Sequence, residues 1–310
     1  MSDKYPCANE HLVNTYIWSV VHLQCASIFN SKNSSFTGGK AFMSFLRWAG
    51  SKKQLGDTLA HFWYATQCAG GNGRYIEGFC GSASLFFRIK PESSVLIDVN
   101  TRLIDCLSTV KSSPKKLCDL LKTYPATEQF YYKLRAQDPE NLSALEQSAR
   151  FIYLNRYCFN GLYRTNLQGH FNVPYGGRKN GELPSLEVLV DAAADLKNAE
   201  LVNGDFSINI AARIKRGDFV YLDPPYAKRN HSLDLQYGPD VFGVNDLKRL
   251  YDLLVLIERA GAFFVFSYVE CEEIEEFIQR WGAHRVEVNR TIAASSEKRC
   301  KAREVLISNL

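Results

Sequence analysis

No C-x-x-C pair occurs among the nine cysteines of this 310-residue chain, and their odd number suits neither a disulfide framework nor a tetrahedral zinc site. Reduced thiols in a cytoplasmic protein are the expectation. Long apolar runs are missing too. The best candidate, residues 15–29, is interrupted by His22, Gln24 and Ser27, short of the ~20 apolar residues that a membrane span needs. That segment has no basic stretch ahead of it, which argues against a secretory signal, and no repeat period is visible. The net charge is only +4, so a nucleic-acid partner has to be sought in the distribution of basic residues rather than in their total. The phosphate-cradling G-x-G-x-x-G pattern is also absent, since Gly81 is followed by Ser82 and Ala83.

What is present is a rhythm. From Arg74 onward, short apolar runs end in polar or glycine-rich turns at 75–77, 95–98, 201–203, 219–223 and 263–267. Runs of that kind suit strands of a parallel sheet buried on both faces. Helical stripes fall between them: Leu186, Leu189, Val190, Ala193 and Leu196 after a cap at Ser185, and Leu247, Leu250, Tyr251, Leu254 and Ile257 after Asn245. Ile274, Phe277, Ile278 and Trp281 form a third stripe, and all three read as core-facing. The alternation predicts an α/β fold with a doubly wound sheet. Residues 284–290 and 303–309 look like strands of a terminal antiparallel hairpin, joined by a loop with Lys298, Arg299 and Lys301. Between Leu103 and Asp195 the strand rhythm gives way to helical, aromatic and basic sequence, as expected of an insertion. A Ser/Asn/Gly-rich run at 30–39 reads as a linker behind an N-terminal extension.

Three constellations carry chemistry. Tyr75-Ile76-Glu77-Gly78-Phe79-Cys80-Gly81-Ser82-Ala83 is a strand followed by small residues, which let a ligand approach the backbone at a strand's C-terminal edge. A tight turn alone would explain the glycines equally well. Asp98, about twenty residues on, ends the next run where a carboxylate can take ribose hydroxyls. A dinucleotide enzyme would share that pair, but without the phosphate loop a nucleoside lacking phosphates fits better. The third is Phe219-Val220-Tyr221-Leu222-Asp223-Pro224-Pro225-Tyr226. Two prolines stiffen the turn. A carboxylate and a fixed carbonyl can accept both hydrogens of an exocyclic amine, and Tyr226 offers a face on which a planar base can stack.

The chain from about Phe45 to Asn309, which carries these motifs, resembles the Dam-like, D12-class DNA adenine-N6 methyltransferases. Phe45-Leu46-Arg47-Trp48-Ala49-Gly50-Ser51-Lys52 is similar to the family's N-terminal motif, which implies donor contacts for Trp48 and Lys52. The 77–83 segment resembles the donor-binding loop, with Glu77, Phe79 and Gly81 as contacts and Gly78 where proline is usual. Asp98-Val99-Asn100 resembles the donor-ribose motif, and Asn203-Gly204-Asp205-Phe206 the segment that touches the donor's adenine. Asp223, Pro224, Pro225 and Tyr226 correspond to the catalytic tetrad, with Asp223 also near the donor. Residues 155–164 and 171–176 resemble the target-recognition signature, implying DNA contacts for Arg156, Asn160, Tyr163, Arg164, Asn166 and Asn172. Lys228, Arg229 and the 298–303 loop are further phosphate-contact candidates.

The resemblance implies a Rossmann-like methyltransferase sheet with a mainly helical target-recognition insertion. The implied division is an extension at 1–40, a catalytic domain at 41–110 and 195–310, and an insertion at 111–194. It implies S-adenosylmethionine as cofactor, double-stranded DNA as partner, a monomer without membrane or metal, and compatibility with a separately acting restriction endonuclease. The amine is a poor nucleophile inside a duplex, so base flipping at a cost of roughly a few kcal/mol is expected. The nearest rival is a cytosine-N4 methyltransferase, where serine more often comes first in the tetrad. A DNA-binding relative without catalysis, and an RNA or protein methyltransferase with an Asn-first tetrad, are the others.

Overall fold

The runs that read as strands form β1 (Tyr75–Glu77), β2 (Ser94–Asp98), β3 (Ala199–Asn203), β4 (Phe219–Leu222) and β5 (Phe263–Val269). The computed structural model describes residues 44–48, 50, 52–166, 168–177, 181–227, 242–289 and 301–310. The proposed extension at 1–40, together with Lys228, Arg229, Lys298 and Arg299, lies outside the described residues. The terminal hairpin is present as β6 (His284–Asn289) and β7 (Lys301–Ser308), antiparallel to each other. Strand order is β3-β2-β1-β4-β5-β7-β6. Neighbours from β3 to β5 are parallel, and β7 runs antiparallel to β5. The winding reverses between β1 and β4, which opens a crevice beyond their C-terminal ends.

The helices of the described residues are α1 (Gly56–Cys68), α2 (Ser84–Ile89), α3 (Thr101–Ser112), α4 (Pro114–Lys122), α5 (Glu128–Ala136), α6 (Ala144–Tyr157), α7 (Leu186–Leu196), α8 (Phe206–Ala211), α9 (Val244–Arg259) and α10 (Glu275–Trp281). Local chemistry sets several starts. Asn100 accepts from Leu103 N at the head of α3, and Pro114 opens α4. Ser143 and Glu146 form a reciprocal capping box at α6. Ser185 caps α7 as its sequence predicts. The α7 stripe is displaced, however: Leu189, Ala192 and Leu196 face the core while Val190 is 45% exposed. The α9 helix begins at Val244 rather than after Asn245, because the Asp246 carboxylate reaches back to accept from Gly243 N. None of the described helices is long and apolar enough to cross a membrane.

Alternation along the strands divides the core. Tyr75, Leu96, Phe219, Tyr221, Val265 and Leu306 face a layer containing residues of α1 to α7. Ile76, Val95, Val220, Phe264, Phe266 and Val305 face α8, α9 and α10. This is the three-layer arrangement of a doubly wound sheet. The 111–194 segment is helical up to Tyr157, and Leu117, Leu121, Tyr131 and Ile152 join the same apolar cluster as Tyr75 and Phe87. Phe86, Phe87, Phe219, Phe264 and Phe266 are all fully buried. Side chains of that size contribute roughly 1.5–3 kcal/mol each on burial.

Candidate active site

The same alternation puts chemistry on one face. Glu77 follows Tyr75 by two residues, Asp98 follows Leu96, Asp223 follows Tyr221, Ser267 follows Val265, and Glu304 precedes Leu306. All five therefore project to the α1 to α7 side, at or near the C-terminal edge of the parallel strands.

Asp223 is the hub. Ser267 Oγ donates to its Oδ1 at 2.9 Å, and the Tyr221 hydroxyl lies 3.3 Å behind Ser267 Oγ. Lys52 Nζ sits 3.1 Å from Asp223 Oδ1 and 3.3 Å from Glu304 Oε2. It also donates to the Tyr226 hydroxyl at 3.1 Å, which in turn donates to Glu304 Oε1 at 3.0 Å. Burial alone would lower the Lys52 pKa, but Asp223, Tyr226 and Glu304 outweigh it and hold the ammonium well above its ordinary value. Burial pushes the Asp223 carboxyl up, against the pull of Lys52 and Ser267. The tetrad is further tethered where Ala227 N donates to the Tyr268 hydroxyl, and the Tyr226 ring meets Tyr268 edge-on at 5.3 Å.

Glu77 lies deeper, accepting from the Tyr75 hydroxyl at 2.9 Å. Burial pushes its carboxyl up to about 8, although that hydrogen bond opposes the shift. Gly78 N donates to Tyr221 O at 3.0 Å, a bond that proline could not make, and a Cβ there would press on Leu222 and Ile210. Thus glycine at 78 ties the loop to β4 by a hydrogen bond.

Asp98 accepts from Gly81 N and Asn100 N, both at 2.9 Å. Burial raises its pKa against those two bonds. Gly81 has φ +48, and a Cβ on it would lie 2.7 Å from the Trp48 indole nitrogen. Trp48 stacks on Tyr163 at 5.8 Å and on Phe151 at 6.4 Å. Asn155 clasps the neighbouring backbone: Arg47 N donates to its Oδ1 at 2.8 Å, and its Nδ2 donates to Arg47 O at 2.5 Å. Trp48, Gly81 and Asp98 are therefore brought together. On the other side of the edge, Phe79 packs on Phe206 at 4.7 Å. The Asp205 side chain caps α8 through Ile208 N at 3.0 Å and pairs with Arg249 at 2.6 Å. Burial would raise its pKa, but Arg249 and Ile208 N together hold it below the usual range.

The signature residues of 155–172 separate into groups. Arg156 donates to Glu182 O and Ser44 O, so its guanidinium is engaged with backbone. Tyr163 is half-buried against Trp48, Phe151 and Phe171, with its hydroxyl facing Asn100. Asn160 is exposed beside exposed Phe159 and has φ +55. Residues 164–172 form a narrow loop closed by the Thr165–Phe171 bridge. Asn166 Oδ1 shapes its turn by accepting from Gln168 N and His170 N. Arg164 Nε donates to Asn172 Oδ1 at 2.8 Å.

The site thus gathers the Gly81 backbone and Asp98 at one strand edge, with a fixed carboxylate at Asp223 and an aromatic at Tyr226. The family profile described as D12 class N6 adenine-specific DNA methyltransferase matches residues 48–292. The chain belongs to this class. It is 32% identical over 274 residues to Type II methyltransferase M1.LlaDCHI of Lactococcus lactis subsp. cremoris, covering 86% of this chain and 94% of the relative. It is 30% identical over 240 residues to Type II methyltransferase M.MjaIII of Methanocaldococcus jannaschii, covering 72% and 83%. It is 29% identical over 269 residues to the DNA adenine methylase of Escherichia coli strain K12, covering 85% and 94%.

Sequence reasoning missed Tyr221, Ser267 and Glu304 as partners of the Lys52, Asp223 and Tyr226 cluster. A signal for the last two existed. Ser267 and Glu304 are polar residues at inward positions of otherwise apolar strands, and such residues need buried partners.

Proposed function

We propose that this D12-class methyltransferase transfers a methyl group from S-adenosylmethionine to the N6 amine of an adenine flipped out of duplex DNA. The observation that carries the reading is that Asp223 Oδ1, fixed by Ser267, already accepts from a nitrogen donor, the Lys52 ammonium, at 3.1 Å. An adenine amine there would donate one hydrogen to Asp223 and the other to the Pro224 carbonyl. Those bonds draw the nitrogen lone pair out of the ring and towards the methyl group. Tyr226 supplies the stacking surface.

S-adenosylmethionine supplies a methyl group on a sulfonium. When bound, it would give that methyl to N6 and leave as a neutral thioether, and the proton lost from the amine would pass to solvent. The residues at Trp48, Gly81 and Asp98 fit this donor: the carboxylate stands at the strand edge, and the Gly81 backbone is kept free of a side chain by the indole. Glu77, Phe79, Asp205 and Phe206 line the neighbouring edge, and Lys52 reaches between donor and target. Most of the rate gain is positioning and electrostatics. The helical insertion and the 164–172 loop read the target, with Arg164, Asn166 and Asn172 as base or phosphate contacts.

A radiolabelled methyl-transfer assay on duplex DNA, followed by sequencing that detects N6-methyladenine, tests the reading. Label in adenine N6 at a recurring sequence supports it. Label in cytosine N4, or no transfer by a folded chain, overturns it.

A further inference from the structure

Glu304 has no place in the roles assigned above, yet it is buried at the centre of the site, 5% exposed on β7. It pairs in register with Val269, two residues beyond Ser267 on β5. Its Oε1 accepts from the Tyr226 hydroxyl at 3.0 Å. Its Oε2 lies 3.3 Å from Lys52 Nζ and has no hydrogen bond among the described residues. Burying a carboxylate is costly unless its partners compensate it, and here both partners belong to the reaction site.

We infer that Glu304 is a positioning residue for methyl transfer, holding the Lys52 ammonium and the Tyr226 ring in place when the target amine takes over Asp223. This rests on the reading that Asp223 binds that amine. Lys52 Nζ is shared between two carboxylates, at 3.1 Å from Asp223 and 3.3 Å from Glu304. An amine that approaches Asp223 must displace an ammonium from it. With Glu304 charged, Lys52 keeps a buried carboxylate after yielding Asp223. Without that charge, Lys52 has Asp223 as its one carboxylate partner among these groups, and a neutral amine competes poorly against a buried ion pair. The Tyr226 hydroxyl bond acts on the same event, because it fixes the rotation of the ring on which the base stacks. Glu304 acts through Lys52 and Tyr226, without contacting the base.

Glu304→Gln tests this, since the amide keeps an acceptor for Tyr226 and loses the charge. The single-turnover methylation rate at saturating donor and DNA is expected to fall about ten-fold or more. Donor affinity by calorimetry and duplex affinity by fluorescence anisotropy should stay within about three-fold, and the melting temperature should hold. Tyr226→Phe, which keeps the ring, should lose less. The double variant should be no slower than Glu304→Gln multiplied by a small factor, because both act on one arrangement. Glu304→Asp, which retains the charge, should recover part of the rate and carries the test if the glutamine variant does not fold. A rate within about two-fold of wild type in Glu304→Gln, or fully multiplicative losses in the double variant, overturns the inference. So does a loss in Glu304→Gln fully accounted for by weaker donor or DNA binding. Asp223→Asn in parallel separates the two ideas: its inactivity with an active Glu304→Gln removes only Glu304, whereas an active Asp223→Asn removes the reading beneath it.

Discussion

Lys52 Nζ lies 3.1 Å from Asp223 Oδ1, joining the N-terminal motif to the Asp223–Tyr226 turn through a largely buried ion pair. The carboxylate is consequently oriented before any substrate arrives, with burial pushing its pKa up against the pull of Lys52 and Ser267. Replacing it with an amide removes the carboxylate proposed to draw on the target amine while keeping the shape of the turn. Asp223→Asn is expected to slow methyl transfer by about 10²–10³-fold, the usual scale for losing one electrostatic contact at a reacting centre. Duplex binding by anisotropy should stay within a few-fold. Near-wild-type turnover would remove Asp223 from the reaction.

Glu77 gives a prediction about pH. Its unfolded carboxyl titrates near ~4.3, whereas burial in the folded chain pushes it up to about 8. Between those values the folded state holds a proton that the unfolded state has released. The stabilising contribution is therefore complete below the unfolded value and is lost as pH rises through the folded one. Glu77→Gln, neutral at every pH, should melt progressively higher relative to wild type between about pH 5.5 and pH 8.5. Asp98 and Asp223 are present in both proteins, so the difference reads Glu77 together with its repulsion from those two carboxyls. A gap in melting temperature that does not widen with pH would mean that Glu77 is ionised when folded.

The position of Tyr163 separates two roles. Its sequence context resembles a DNA-contacting signature, yet its ring backs Trp48 at 5.8 Å with the planes 21° apart. A stacked aromatic pair contributes roughly 0.5–1.5 kcal/mol beyond the area it buries. Tyr163→Ala should therefore weaken donor binding by about two- to ten-fold in calorimetry, with target preference retained. Altered base preference at unchanged donor affinity would return Tyr163 to the DNA side.

The strands were legible because parallel strands buried on both faces read as unbroken apolar runs, and each of the five appears where its run lies. Asp223 and Asp98 were legible for a related reason: each stands where an apolar run stops. The stripe on α7 was misread at Val190 because apolar identity alone does not fix which side of a helix faces the core. The start of α9 was misplaced because a backward-reaching Asp246 did the work expected of Asn245. Ser267 and Glu304 escaped because their meaning lies in strand pairing. Only the β5–β7 register brings Glu304 next to a tetrad some eighty positions earlier in the chain.

Arg164 is the residue on which target reading can be tested most directly. Its guanidinium is held from one side, with Nε donating to Asn172 Oδ1 at 2.8 Å within the narrow 164–172 loop. An arginine restrained in that way keeps further donors for a planar acceptor pair, such as the O6 and N7 of guanine, at little extra entropic cost. If it reads a base edge, Arg164→Ala should cost roughly 1–3 kcal/mol and relax preference at one position of the target. The salt dependence of binding should then stay the same. Asn172→Ala, which removes the side-chain restraint but neither the guanidinium nor its bond to the Asn172 carbonyl, should blur preference at that same position to a smaller extent unless Asn172 itself contacts DNA. Methylation of duplexes altered one base pair at a time, measured at two salt concentrations, checks both variants. Uniform weakening over all duplexes with a shallower salt slope would instead make Arg164 a phosphate contact, because a phosphate carries no sequence information and its loss releases fewer counterions on binding.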